Sequence, residues 1–375
     1  MAEPFKNLFS KRLIAGMAEH LSRAWPAFDE AGFVSAAGRR LRTLELKQRS
    51  AQITDALVTY LPDDFERAVA ILLKSLAPED GFEMKSAKVN RLGIDGWAIM
   101  PIAEFVGQHG QEHFDLSLAT LRELTKRFSS EFGIRYFLLE DPPRTLETLE
   151  AWTSDPSEHV RRLVSEGTRP RLPWGMRLPA FIEDPTPVLP LLETLRDDES
   201  EYVRRSVANN LNDIAKDHPD LVAKLAARWL RSASRDRERL IRHACRSLIK
   251  QGHQKTLQSL GYRAPKIRLQ RLKVLTPQVA LGEALQFDVA LTSTSKRAQP
   301  LIIDYAIHHQ KANGSTTPKV FKWKTITLEP GDTHEAARRH DIRKVTTRAY
   351  YPGKHQLELM INGVSLGRRG FQLEV

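Results

Sequence analysis

Ser157-Glu158-His159-Val160-Arg161-Arg162 returns 43 residues later as Ser200-Glu201-Tyr202-Val203-Arg204-Arg205. The register holds without a gap around it: Asp141-Pro142 matches Asp184-Pro185, Leu146 and Leu149 match Leu189 and Leu192, and Asp155 matches Asp198. A copy shortened to 38 residues brings Ile241-Arg242-His243-Ala244-Cys245 into line, and a degenerate one sets Glu131 35 residues ahead of Glu166. Two apolar helical runs per unit at a period near 40 predict a HEAT-like solenoid. Such units stack into a curved surface whose concave side is the usual binding face. Glu131, Glu166 and Asn209 take equivalent places in this register, so that face is expected to carry a row of polar groups, two of them carboxylates.

Helical spacing extends outward from the repeat in both directions. Phe5, Leu8, Leu13, Ile14, Met17 and Leu21 make one stripe, and Leu41, Leu44, Leu46, Ile53 and Leu57 make another. Asp63 or Asp64 then caps a helix from Phe65, residues 78–93 read as loop, and Trp97, Ile99, Ile102, Phe105 and Val106 resume a buried helix. Residues 116–139 give a further pair, and residues 219–252 complete the array. Beyond Tyr262 the apolar period changes from 3.6 to 2. Residues 267–275, 285–291, 301–307, 320–328, 356–361 and 370–375 read as strands, and Asn313-Gly314, Pro330-Gly331, Pro352-Gly353 and Asn362-Gly363 read as turns. About seven strands in roughly 110 residues fit an immunoglobulin-like sandwich. Tyr350-Tyr351-Pro-Gly-Lys-His-Gln-Leu-Glu-Leu resembles the corner and penultimate strand of such domains. The expected architecture is an all-α HEAT-like helical solenoid over residues 1–262, followed by an all-β immunoglobulin-like sandwich over residues 263–375.

The net charge of +11 is unevenly spread. Residues 263–375 hold 19 Lys and Arg against 9 Asp and Glu, so the sandwich carries almost the whole excess. Such an excess suits a polyanion, nucleic acid before others, with a merely solubilising surface as the alternative. The lone cysteine, Cys245, follows the apolar spacing of its helix and reads as a buried small side chain, in keeping with a reducing cytoplasm. No apolar run reaches membrane-spanning length and no signal-type leader opens the chain. A cytoplasmic protein is expected, nucleoid-associated when bound to DNA.

There is no Walker loop, no Gly-x-Gly-x-x-Gly and no Gly-x-Ser-x-Gly elbow, which argues against an NTPase and a serine hydrolase. His109-Gly-Gln-Glu112-His113 has His-x-x-Glu-His spacing, but Gly107 and Gly110 crowd it at a helix end, so a solvated loop is expected and neither metal nor cofactor is called for. The acids remain to be explained. They can pair with arginines one helical turn away, Glu131 with Arg127 or Arg135 and Glu166 with Arg162 or Arg169. Alternatively they face a positive charge on damaged nucleic acid, where fixed negative groups stabilise a developing cation and a carboxylate can orient water. Trp174 can stack on a base or sugar, Asp213 shares a helical face with Asn209, and Trp152 and Trp229 read as core.

The chain resembles the AlkC-type DNA alkylation repair proteins, HEAT-like-repeat DNA glycosylases related to the AlkD type. The motifs are Pro4-Phe-Lys-Asn-Leu-Phe9, Leu44-Glu-Leu-Lys47, Gly96-Trp97 and Thr125-Lys-Arg-Phe-Ser-Ser-Glu131-Phe-Gly-Ile-Arg135, then Ser165-Glu166-Gly-Thr-Arg-Pro-Arg-Leu-Pro-Trp174 and Val203-Arg-Arg-Ser-Val-Ala-Asn-Asn-Leu-Asn-Asp213. The resemblance implies a monofunctional glycosylase that hydrolyses the N-glycosidic bond of cationic N3-alkylated bases, 3-methyladenine and 3-methylcytosine, in duplex DNA. It implies a catalytic set of Glu131, Glu166, Asp213 and Trp174. If the solenoid face binds DNA, Arg135, Arg162, Arg169, Arg171, Arg204, Arg205 and Arg242 are the candidate DNA contacts, and the sandwich grips the duplex. The expected partner is alkylated double-stranded DNA, with no membrane, and the expected state is a monomer. The alternative is a non-catalytic scaffold that binds nucleic acid or protein.

Overall fold

The computed structural model describes residues 4–79, 89, 91–345 and 348–375. The expected loop over residues 78–93 falls largely outside them. The chain divides into two compact units, Met1–Asp217 and His218–Val375. The first is helical. It holds α1 (Lys11–Ala24), α2 (Glu30–Ala37), α3 (Leu46–Tyr60), α4 (Phe65–Lys74), α5 (Ile99–His109) and α6 (Phe114–Thr125). It continues with α7 (Ile134–Glu140), α8 (Pro142–Trp152), α9 (Glu158–Gly167), α10 (Pro179–Glu183), α11 (Leu189–Leu195) and α12 (Glu201–Ile214). Asp64 caps α4 through Arg67 N, and Asp141 caps α8 through Arg144 N, each satisfying an amide that the first helical turn leaves without a partner.

The 43-residue register has a physical basis in α8–α9 and α11–α12. Asp155 accepts the backbone N–H of Ser157 and Asp198 that of Ser200, both just ahead of a helix. Arg122 reaches Asp155, and Arg161 reaches Asp198 with Nε at 2.7 Å. Arg161 also donates to the Asp155 carbonyl, as Arg204 does to that of Asp198. The matched arginines and aspartates are thus links of one ladder running from helix to helix. Between its rungs α9 buries Val160, Leu163 and Val164, and α12 buries Val203, Val207 and Leu211. Each such side chain contributes roughly 1.5–3 kcal/mol on burial. Trp152 is buried as expected.

The second unit opens with α13 (Pro219–Trp229), α14 (Arg235–Ala244), α15 (Arg246–Gln251) and α16 (Gln254–Ser259). Trp229 and Cys245 lie in its core, and burial pushes the Cys245 thiol up to about 12, so it is an inert apolar filler. The strands are β1 (Ile267–Val274), β2 (Gln278–Ala280), β3 (Ala284–Ser293), β4 (Gln299–Gln310), β5 (Thr316–Leu328), β6 (Thr333–Asp341), β7 (Gly353–Ile361) and β8 (Val364–Glu374). They form a three-stranded sheet β1-β3-β6 and a five-stranded sheet β2-β8-β7-β4-β5, antiparallel except for β2 with β8. Leu285, Phe287, Val289 and Leu291 of the first sheet share a core with Ile303, Tyr305, Ile307, Leu357 and Leu359 of the second.

The expected hairpin at Asn362-Gly363 has both residues at positive φ, 47° and 75°, the geometry of a two-residue turn that Asn-Gly favours. That turn also ties the sandwich to the helices of its own unit. A Cβ on Gly363 would stand 2.5 Å from the Gly252 Cα, and the buried Asn362 amide donates to the carbonyls of Arg263 and Pro300. Two strands carry no alternating apolar signal. β2 is only three residues long. β6 is an edge strand whose sequence, Thr-His-Glu-Ala-Ala-Arg-Arg-His-Asp, turns small or amphipathic residues inward.

Candidate active site

Glu131 sits in the turn before α7, Trp174 in the loop after α9, and Arg162 on α9 one helical turn ahead of Glu166. An open cavity of about 190 Å³ gathers Glu131, Arg162 and Trp174 with Trp97, Phe128, Phe132, His159 and Tyr202. Its walls are mostly aromatic. Trp97 meets Phe128 at 5.2 Å and Phe5 at 6.1 Å, and Phe5 in turn meets Trp174 at 6.1 Å. Trp174 is 57% exposed, so its ring is a wall of the cavity and not part of the core. A second cavity of about 420 Å³ lies on the other side of Phe132 and Trp174 and contains Lys47, Glu104, Gln108 and Tyr136. Lys47 there joins Glu104 and lies over the Phe132 ring at 4.6 Å, which braces the wall between the two cavities.

The acids are not equivalent. The Glu131 carboxylate borders the cavity, and its Oε2 accepts from Arg162 at 2.8 Å and from the Ser129 hydroxyl at 2.6 Å. The pairing with Arg127 or Arg135 suggested by local spacing is replaced by this one with Arg162, which comes from α9. Glu166 lies deeper, 5% exposed, and accepts from Arg169 at 2.6 Å and from the Ser206 hydroxyl at 2.6 Å, with Arg162 at 3.5 Å. Burial pushes its carboxyl up, but Arg162, Arg169 and Ser206 outweigh that and hold it below the usual carboxylate range. Asp213 is also buried and accepts from Arg169 and Lys216, both at 2.8 Å. Glu166 and Asp213 therefore stand behind the cavity wall, bridged by Arg169, while Glu131 and Trp174 line the cavity.

The candidate DNA-contacting arginines also sort by position. Arg135 is fully buried and donates to the carbonyls of Gly167, Arg169 and Met176 at 2.7–2.8 Å. Burial and the nearby Arg169 charge lower it to about 10. Arg171 forms a two-pronged pair with Asp217, both bonds at 2.8 Å. Arg135, Arg169 and Arg171 thus pin the loop that carries Trp174. Those pins hold Trp174 at φ 63°, a left-handed backbone that costs an ordinary side chain about 1–2 kcal/mol. Arg162 is nearly enclosed, between Glu131, Glu166 and the face of Tyr202 at 4.9 Å. Burial lowers it, and the two glutamates outweigh burial and raise it, so it stays charged. Arg204 is half-buried on the ladder described above, and Arg205 and Arg242 are exposed.

Sequence reasoning did not single out His159, Tyr202, Phe128 or Phe132 as site residues. For His159 and Tyr202 the signal was present, since they are the matched aromatic positions of the 43-residue repeat. As for the His-x-x-Glu-His spacing, His109 ends α5, whereas Glu112 and His113 lie on a separate short turn where His113 stacks on Phe65 at 5.1 Å. No cluster of three metal-ligating side chains occurs among the described residues. None of their helices is long and apolar enough to cross a membrane.

Residues 128–263 match the family model described as DNA alkylation repair enzyme, and residues 268–375 match that of the YhaZ C-terminal Ig-like domain. The chain is 37% identical over 372 residues to the uncharacterized protein YhaZ of Bacillus subtilis, covering 98% of this chain and 99% of that one. It also matches the solved structure of Pseudomonas fluorescens alkylpurine DNA glycosylase AlkC bound to DNA containing an abasic site analog. That match has a TM-score of 0.89 at 36% identity and covers 100% of both chains. A helical part followed by an Ig-like domain, shared from end to end with these relatives, makes this chain a member of the DNA alkylation repair enzyme family, alongside AlkC and YhaZ.

Proposed function

We propose that this protein is a monofunctional DNA glycosylase that releases cationic N3-alkylated bases, such as 3-methyladenine and 3-methylcytosine, from duplex DNA. The observation that carries this reading is the aromatic cavity with a single carboxylate, Glu131, on its border. Electron-rich ring faces attract a cation, and a preplaced carboxylate stabilises positive charge as it develops. When the bond from C1′ to nitrogen breaks, its electron pair neutralises the departing ring and the sugar takes up the positive charge. Glu131 stabilises that sugar cation and receives a proton from the water that adds to C1′. Glu166 and Asp213 act from behind, holding Arg162 and Arg169 in place, and the pinned loop presents Trp174.

On this reading the helices form a HEAT-like solenoid over residues 1–262, and the basic sandwich over residues 263–375 contributes phosphate contacts. Arg205 and Arg242 are the better candidates for phosphate, because Arg135 and Arg169 are buried and Arg171 is already paired with Asp217. The protein acts as a monomer in the cytoplasm, at the nucleoid, and its chemistry calls for no cofactor. Base release from methylated duplex tests the proposal. Glu131→Gln is expected to lower single-turnover release by about 100-fold or more while duplex affinity changes little. Equal release by the variant and the wild type would refute the role of Glu131.

A further inference from the structure

His159 and Tyr202 are repeat-matched positions, and because α9 and α12 lie side by side their rings meet edge to face at 5.7 Å and 73°. Both line the cavity, yet the chemistry above uses neither. Glu131 and Arg162 offset each other there across a 2.8 Å pair, so one further charge decides which sign of ligand the cavity favours.

We propose that His159 is a specificity-determining residue: the cavity admits a cationic ring while the imidazole is neutral and repels it once the imidazole is protonated, with Tyr202 fixing the imidazole plane. This inference rests on the glycosylase reading. The groups facing His159 include Glu158 and Arg162 from its own helix, Tyr202 from α12 and, across the cavity, Glu131. The α6 helix contributes only the uncharged Thr125, and α8 and α11, also packed on α9, contribute nothing to the cavity wall. Glu158 raises the imidazole but is itself bonded by the Ser200 hydroxyl. Burial foremost, and Arg162 after it, lower the imidazole below its ordinary 6.5. The ring is therefore neutral at neutral pH and gains its charge only in acid.

The test compares wild type, His159→Gln and His159→Arg from about pH 8 down to about pH 5, which reaches below the ordinary histidine value. It measures kcat/KM for release of an N3-methylated purine from duplex. It also measures affinity for duplexes carrying a cationic pyrrolidine or a neutral tetrahydrofuran abasic analogue. The wild type should prefer the cationic analogue at the alkaline end and lose that preference toward the acid end. His159→Gln should hold the preference throughout, and His159→Arg should lack it at every pH, a difference of about tenfold for like charges at close range. A wild-type pH course retained by His159→Gln, or a cation preference retained by His159→Arg, overturns the inference. Should wild type release no base while the analogue pattern appears, the glycosylase reading fails and the role of His159 stands. Should release proceed with no difference among the three proteins, only the role of His159 fails. If the arginine variant does not fold, the glutamine variant decides.

Discussion

At the scale of single residues, the site depends on which side chains are held and which are presented. Glu131 and Glu166 both pair with guanidiniums, but only Glu131 borders the cavity. On the proposed mechanism pairing and catalysis are compatible, because the bond from Arg162 fixes where the carboxylate points. Arg135 has the opposite assignment, with its Nε and Nη1 donating to carbonyls of the Trp174 loop and its flanks. Arg135→Met should cost about 3 kcal/mol in chemical denaturation, since several buried carbonyls lose their donor. It should also slow base release, because the strained Trp174 backbone is no longer pinned. A variant as stable and as active as wild type would show that the loop needs no such pin.

At the scale of helices, the repeated sequence encodes contacts between neighbours. Arg122 with Asp155 and Arg161 with Asp198 are successive rungs, and Arg161 and Asp198 keep side-chain exposures of only 10% and 5%. Removing one partner strands a charge away from water. Asp198→Ala is therefore expected to destabilise the protein by about 3 kcal/mol, whereas Glu199→Ala at the exposed neighbour should cost well under 1 kcal/mol. Equal melting shifts for the two variants would contradict the ladder. Arg204, a candidate phosphate contact in the sequence, instead bonds the Asp198 carbonyl, and its repeat-matched Arg161 bonds the Asp198 carboxylate, so both link one repeat to the next.

For the molecule as a whole, acid should weaken the second unit. Inside the sandwich, burial foremost, helped by Arg348 and neighbouring histidines, lowers His309 to about 3, and burial with Arg338 lowers His340 to about 4. An unfolded chain takes up protons at these imidazoles from its ordinary 6.5 downward, whereas the folded sandwich does not until about 3 or 4. Stability from this source is complete above about pH 6.5 and is lost as pH falls toward 4. The expected outcome is a melting temperature that drops steadily across that window, and a drop that is reduced but not abolished in His309→Phe, because His340 supplies the remainder. A melting temperature independent of pH in that window would mean that these rings are solvated.

The amino-acid sequence by itself determined the secondary structure and the order of the two architectures. Periods of 3.6 and 2, Asp and Ser caps, and Asn-Gly turns act over a few residues, so they are legible without a partner. It also carried the family, through motifs such as Ser165–Trp174, and named Glu131 and Trp174, which do line the cavity. The pairs of Glu166 with Arg162 and Arg169, one helical turn away, were legible too, but the partners of the other site acids were decided only by the tertiary structure. Glu131 takes its arginine from 31 residues away, Asp213 takes Arg169 from 44, and the neighbours that bury Glu166 come from two helices. Strand β6 was hidden for a related reason, since an edge strand needs apolar residues only where the rest of the sheet leaves a gap. A charge looks the same in sequence whether it faces water, phosphate or a buried acid. Its environment is set by packing between distant segments, and that packing separates the carboxylate at the cavity from those that hold the wall behind it.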